Sequence, residues 1–149
     1  MGQYSDVIPV TITADTVALD ADGISVAASV GNNAALVIGG ALADSGSVTL
    51  SHGRLITILS AGDDSSKSFT VVGTDVNGDS QTETVTGANA GTATSSKYFK
   101  TIASITAVGN PAGNVSAGIN ASAADAIFTM RSRLKGMFLT STATAGEID

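Results

Sequence analysis

The stretch "GTDVNGDSQTETVTG" (Gly73 to Gly87) can be read in two ways. Asp75, Asn77 and Asp79 at alternate positions match the opening of a calcium loop, whereas Asn77-Gly78 between alternating residues matches a hairpin turn. A helix-loop-helix calcium loop also needs Gly at its sixth position and a bidentate Glu at its twelfth. Those positions hold Ser80 and Thr86, and the flanks "SFTVV" and "TETVT" alternate as strands do. Asn-Gly is favoured in two-residue turns, and Asp-x-Asn-Gly also suits a type I turn with a bulge. The hairpin at Asn77 and Gly78 is therefore the preferred reading, and no metal or cofactor is assigned.

Outward from this hairpin, strand-length runs recur between turn signals. Before it come "VIPVTIT" (Val7 to Thr13), "AALVIGGAL" (Ala34 to Leu42), "SVTL" (Ser47 to Leu50) and "RLITILSA" (Arg54 to Ala61). After it come "YFKTIASITAVG" (Tyr98 to Gly109), "NVSAGI" (Asn114 to Ile119) and "RLKGMFLTS" (Arg133 to Ser141). Short strands at this spacing, with Gly, Asn, Asp and Ser between them, predict an all-β chain: an antiparallel β-sandwich or barrel-like domain. Residues 1–33 are less regular and read as an extended N-terminal arm or peripheral strands. Residues 34–149 read as the sandwich, with a C-terminal strand.

"SAADAIFTMRSRLKG" (Ser122 to Gly136) fits two patterns. Ser122 as N-cap, Ile127, Met130 and Leu134 at helical spacing and Gly136 as terminator describe a short helix. As a strand, the same segment puts Arg131, Arg133 and Lys135 in one row, because alternate side chains share a face. That row is a candidate inter-subunit contact.

Composition narrows the function classes. The chain of 149 residues has 13 acidic against 7 basic side chains, a formal charge of −6, which disfavours phosphate backbones, so nucleic acid is not expected as a partner. With no cysteine and one histidine, disulfide frameworks, zinc clusters, thiol nucleophiles and nearly every histidine-based triad drop out. No apolar run approaches the roughly 20 residues of a membrane helix, and no signal-peptide pattern is present. Small and β-branched residues dominate, which suits thin, closely packed sheets.

The individual polar candidates carry little chemistry on sequence grounds. Asp63-Asp64 could ligate a metal with Asp75 or Asp79, but solvation of a loop tip is the simpler reading. Glu83 lies in a strand with no feature that would desolvate it for glycosidase work. His52 beside Gly53 reads as a polar turn residue. "IGGALADSG" (Ile38 to Gly46) lacks the Lys-Thr or GxGxxG spacing of a phosphate loop. The chain is read as a non-enzyme.

The run from Ile56 to Gly118, through "SAGDDS", "GTDVNGDSQTETVTGANAGT", "KYFKTI" and "AGNVSAG", resembles a β-rich module of tailed-bacteriophage virion proteins. The resemblance covers somewhat less than half the chain and implies a structural role in a virus particle, made in the host bacterial cytoplasm. The expected partners are copies of itself and other virion proteins, the major capsid protein first, with the chain acting as a capsid decoration or cement protein. A tail-associated component (tube, adaptor or fibre-anchoring subunit) is the alternative. In similar proteins a segment like Arg133 to Asp149 leads into further strands, so pairing of that last strand across subunits is expected. A carbohydrate-binding sandwich is a third possibility; it would draw on Tyr4, Phe69, Tyr98, Phe99, Phe128 and Phe138.

Overall fold

The computed structural model describes residues 18–124. They are all-β, and among them no segment is helical. Seven strands run in chain order: β1 (Asp20–Ala28), β2 (Ala43–Asp44), β3 (Ser47–Ser60), β4 (Ser68–Thr74), β5 (Ser80–Thr86), β6 (Thr92–Val108) and β7 (Val115–Ala124). They form one antiparallel sheet in the order β1-β7-β3-β6-β4-β5, with the short β2 paired to β3.

A single hydrophobic cluster unites side chains from both halves of this sheet. Ile24, Ile56, Ile58 and Ile119 come from the β1-β7-β3 half, and Phe69, Val71, Val85 and Ile105 from the β6-β4-β5 half. Distant strands of one sheet share a core only if the sheet folds over on itself, which gives a sandwich-like body without closure into a barrel. The long β6 makes the fold possible by belonging to both halves. It pairs with β3 from Thr92 to Ile102 and with β4 from Thr101 to Val108.

Bulges turn the corners. Between Thr49 and Arg54, β3 advances further than its partner from Thr101 to Phe99, so Leu50 to Gly53 bulge out of the ladder. The two strands expected on either side of His52 are thus one, and His52 sits within β3, not at a turn. Gly53 has Val76, Tyr98 and the Ala124 carbonyl close around it, which leaves no room for a side chain. A second bulge lies in β6 between Thr94 and Tyr98. There the Ser95 hydroxyl accepts from the Ile56 N–H at 2.8 Å and donates to the Lys97 carbonyl at 2.9 Å, filling the gap in the ladder.

The run Ala34 to Leu42, expected as a strand, is a connection with one isolated bridge, Ala35 to Thr106. Leu36 N–H donates to Ile105 and Ala107 N–H to Ala34, so the segment extends β6 where β3 has not yet begun. It then leaves for the edge of β1, where the N–H groups of Gly39 and Gly40 both reach the Ile24 carbonyl. Gly40 lies against the backbone of Asp22 and Gly23, a contact that only glycine permits and that a continuing strand could not make. The apolar run served core contact and edge covering instead of a ladder.

Residues 20–28 of the irregular N-terminal region form β1, an edge strand paired to β7. Ser122, considered as a helix N-cap, lies in β7, where its N–H donates to the Asn120 side chain at 3.0 Å. Arg131, Arg133 and Lys135 lie outside the described residues, as do Tyr4, Phe128 and Phe138.

Candidate functional site

The β4-β5 connection is a compact turn. Thr74 pairs with Ser80, the Gly78 N–H donates to the Asp75 carbonyl at 3.2 Å, and the Asp75 N–H donates to the Asp79 carbonyl at 2.9 Å. Gly78 has φ +90°, the left-handed conformation that follows a type I turn with a bulge. The Asp75 carboxylate points back into its own turn, accepting from the N–H groups of Asn77 at 2.8 Å and Asp79 at 3.0 Å. Desolvation pushes this carboxyl upward. The hydrogen bonds from Asn77, Asp79 and Gly78 together outweigh it and hold the group below its ordinary range.

At the opposite end of the strands, the two adjacent aspartates part company. Asp63 is exposed, and bonds from the Ser65 hydroxyl at 2.7 Å and the Ser65 N–H at 3.1 Å hold its carboxyl low. Asp64 is fully buried, which corrects the expectation of a solvated loop tip for the pair. Its main chain bonds to Ala88 and Lys67, and its Oδ1 accepts from the Ala112 N–H at 2.7 Å. It thereby ties together the β3-β4, β5-β6 and β6-β7 connections. Its Oδ2 is buried without a protein partner. Asp64 does not join the Asp75 turn, since the two lie at opposite ends of the β4-β5 ladder.

Glu83 also has a structural assignment. Its Oε1 accepts from the Ser96 N–H at 2.7 Å and hydroxyl at 2.8 Å, and its Oε2 from the Lys97 N–H at 2.9 Å. Together with Gln81, whose amide donates to the Tyr98 carbonyl at 2.8 Å, it bridges β5 to the side of β6 that β4 does not reach. The carboxylate replaces missing ladder acceptors at the β6 bulge. Among the described residues, no three His, Asp or Glu side chains come together as a metal site would require. Phe69 and Phe99 are fully buried, and Tyr98 is half-buried.

The outer face of β5-β4-β6 is the most distinctive surface. Because directly paired residues share a face, its rows can be read from the register. Thr84, Thr70 and Thr106 form one row, and Ala35 extends it across the isolated bridge. Thr82, Val72 and Ser104 form the next, and Ser80, Thr74 and Thr101 the row nearest the Asp75 turn. Thr86, Ser68 and Val108 complete it at the far end. Continuing the Ala35 register places Val37 beside Ser104.

None of these positions carries a charge. Among the described residues, three of the six exposed large hydrophobic side chains lie here: Val37 (77% exposed), Val108 (45%) and Val72 (36%). Hydroxyls and methyls thus cover a face several strands wide, on a chain of net charge −6. Thr74 and Thr101 hydroxyls bond to each other at 2.8 Å, showing how the side chains knit across strands. Sequence reasoning placed the strands but missed the face. Its signal was the Thr and Ser alternation in "SQTETVT" and "SITAV", which gains meaning only once the register sets the strands side by side.

No protein-family model matches the chain, and no curated protein or solved structure is similar to it.

Proposed function

We propose that this chain is a non-enzymatic structural subunit of a tailed-bacteriophage particle, a decoration or cement protein that reinforces the head through contacts between β-surfaces. The observation that carries the reading is the uncharged Thr, Ser and Val face. Interface centres are depleted of charge relative to ordinary surface, and an acidic subunit needs such a face to lie against like-charged copies. The run that resembles phage modules, Ile56 to Gly118, supplies β4, β5, β6 and parts of β3 and β7, so the resemblance falls on the strands that present this face. The partners on this reading are copies of the chain and the major capsid protein.

Quantitative mass spectrometry of purified, salt-washed particles tests it. Hundreds of copies per particle support a shell protein; about a dozen, as in one symmetric ring, would move the chain to the tail. Absence from washed particles would refute both.

A further inference from the structure

We infer that the outer face of β5-β4-β6 is a self-complementary surface through which two copies of this chain pair face to face, about a two-fold axis lying across the strands. The inference rests on the reading of the chain as a self-assembling subunit. A two-fold interface needs one patch that fits itself. A lattice of Thr, Ser and Val does so, because hydroxyls both donate and accept while methyls interdigitate.

Electrostatics select the orientation. Stacked sheets keep their strands nearly aligned, so the axis either runs along the strands or across them. An axis along the strands would set the Asp75 and Asp79 turn of one copy against the same turn of its partner, with four carboxylates together. An axis across them exchanges the ends. The Asp79 end of each copy then meets the Lys67 end of the other, since Lys67 immediately precedes Ser68 and its stem lies against Gly109 at the far rim. The acidic turn gains Lys67 as a neighbour, although that rim also carries the exposed Asp63, whose carboxylate is turned onto Ser65, and the two Asp75 turns stay apart.

The size of the face limits the strength. At about 6.8 Å between same-face residues along a strand and about 4.8 Å between strands, each position covers roughly 33 Å². The fourteen or so positions from Ala35 and Val37 to β5 therefore give about 450 Å² per copy, near 900 Å² for the pair, below the roughly 1,200 Å² at which stable specific interfaces begin and in the range of weak, transient ones. The free dimer is accordingly weak, with half-association around 0.1 mM, and a particle would add further contacts.

Sedimentation equilibrium of the purified full chain from about 10 μM to about 1 mM, bracketing that value, is the test. Concentration-dependent dimers are expected. Val72→Asp and Thr84→Asp, each checked for fold by circular dichroism, should leave monomers, whereas Val26→Asp, at an exposed position on β1, should not. Lys67→Glu should weaken the dimer about tenfold, and adding Asp79→Lys in the same chain should restore it. A wild type that stays monomeric throughout, or dimers that survive both face variants, would overturn the pairing. A monomer retained on insoluble polysaccharide would overturn it in favour of a glycan occupant. Restoration failing in the charge-exchanged chain would overturn the orientation. These results are separable from the particle reading: a dimer absent from washed particles would refute that reading alone.

Discussion

Asp75 and Asp64 each receive a backbone N–H and organise a connection, yet they do so in opposite settings. Asp75 is part of a turn whose partners lie two and four residues ahead, at the surface. Asp64 is buried and reaches Ala112, 48 residues away, while Gly87 packs on its backbone from a third segment. The first makes a local device that any chain with the same five residues would form. The second is a keystone that exists only when three connections have already met. Local satisfaction costs little to lose; a keystone carries the donors of its neighbours with it.

Two glycines sharpen this contrast. A Cβ on Gly87 would lie 2.5 Å from the Asp64 carbonyl oxygen and 2.8 Å from its Cβ, so Gly87→Ala must push buried backbone apart. Chemical denaturation should show a loss of about 3 kcal/mol. Gly78 has open space around it but φ +90°, so Gly78→Ala meets conformational strain alone and should cost about 1 kcal/mol in the same assay. Equal losses would break the distinction between a crowded end and an open one.

Between these two lies Asp64 itself. Asp64→Ala removes the acceptor of the part-buried Ala112 N–H and the packing of a fully buried side chain, and should cost about 2 kcal/mol. Asp64→Asn keeps that acceptor and changes only the second oxygen, which has no protein partner, so its loss should be the smaller. If Asn proves as damaging as Ala, the position of the second oxygen matters as much as the single hydrogen bond.

The smallest effect belongs to Asp75, through pH. Its folded pKa lies below the unfolded value of about 3.9, so its contribution is complete above that value and is lost as pH falls through the folded pKa. Thermal melts of the native chain and Asp75→Asn should differ slightly at neutral pH and converge in the acid range. A difference that persisted in strong acid would show that the turn does not depend on the ionised carboxylate.

The same divide explains what the amino-acid order made legible. The hairpin could be read because its determinants, an Asp, an Asn-Gly pair and alternating flanks, sit within a few residues. β4, β5 and most of β6 followed from alternation for the same reason. The Ala34 to Leu42 run misled because its apolar residues meet β6 and β1 through one bridge and two glycine contacts, none with a local signature. His52-Gly53 looked like a turn because a bulge uses the same small, flexible residues as a turn does. Asp63 and Asp64 differ only in what packs on them. The charge-free face was hidden for a further reason: a row of hydroxyls assembled from three strands is a property of register, and register is not written in any one strand.

The pairing of Asp20 with Ile119 also sets a timetable. The β4-β5 hairpin closes in about 1 to 10 μs, needing only its own turn. β1 emerges from the ribosome first among the seven strands but finds its ladder partner, β7, last. Until β7 arrives, β3 presents its Gly53 to Ser60 edge unpaired, and β1 has nothing to pair with on that side. High separation between partners slows folding, and an open edge in a nearly finished sheet invites wrong neighbours. The hazard is greatest when many copies are made at once, so the rate at which β7 docks bounds how fast this chain can be synthesised without aggregating.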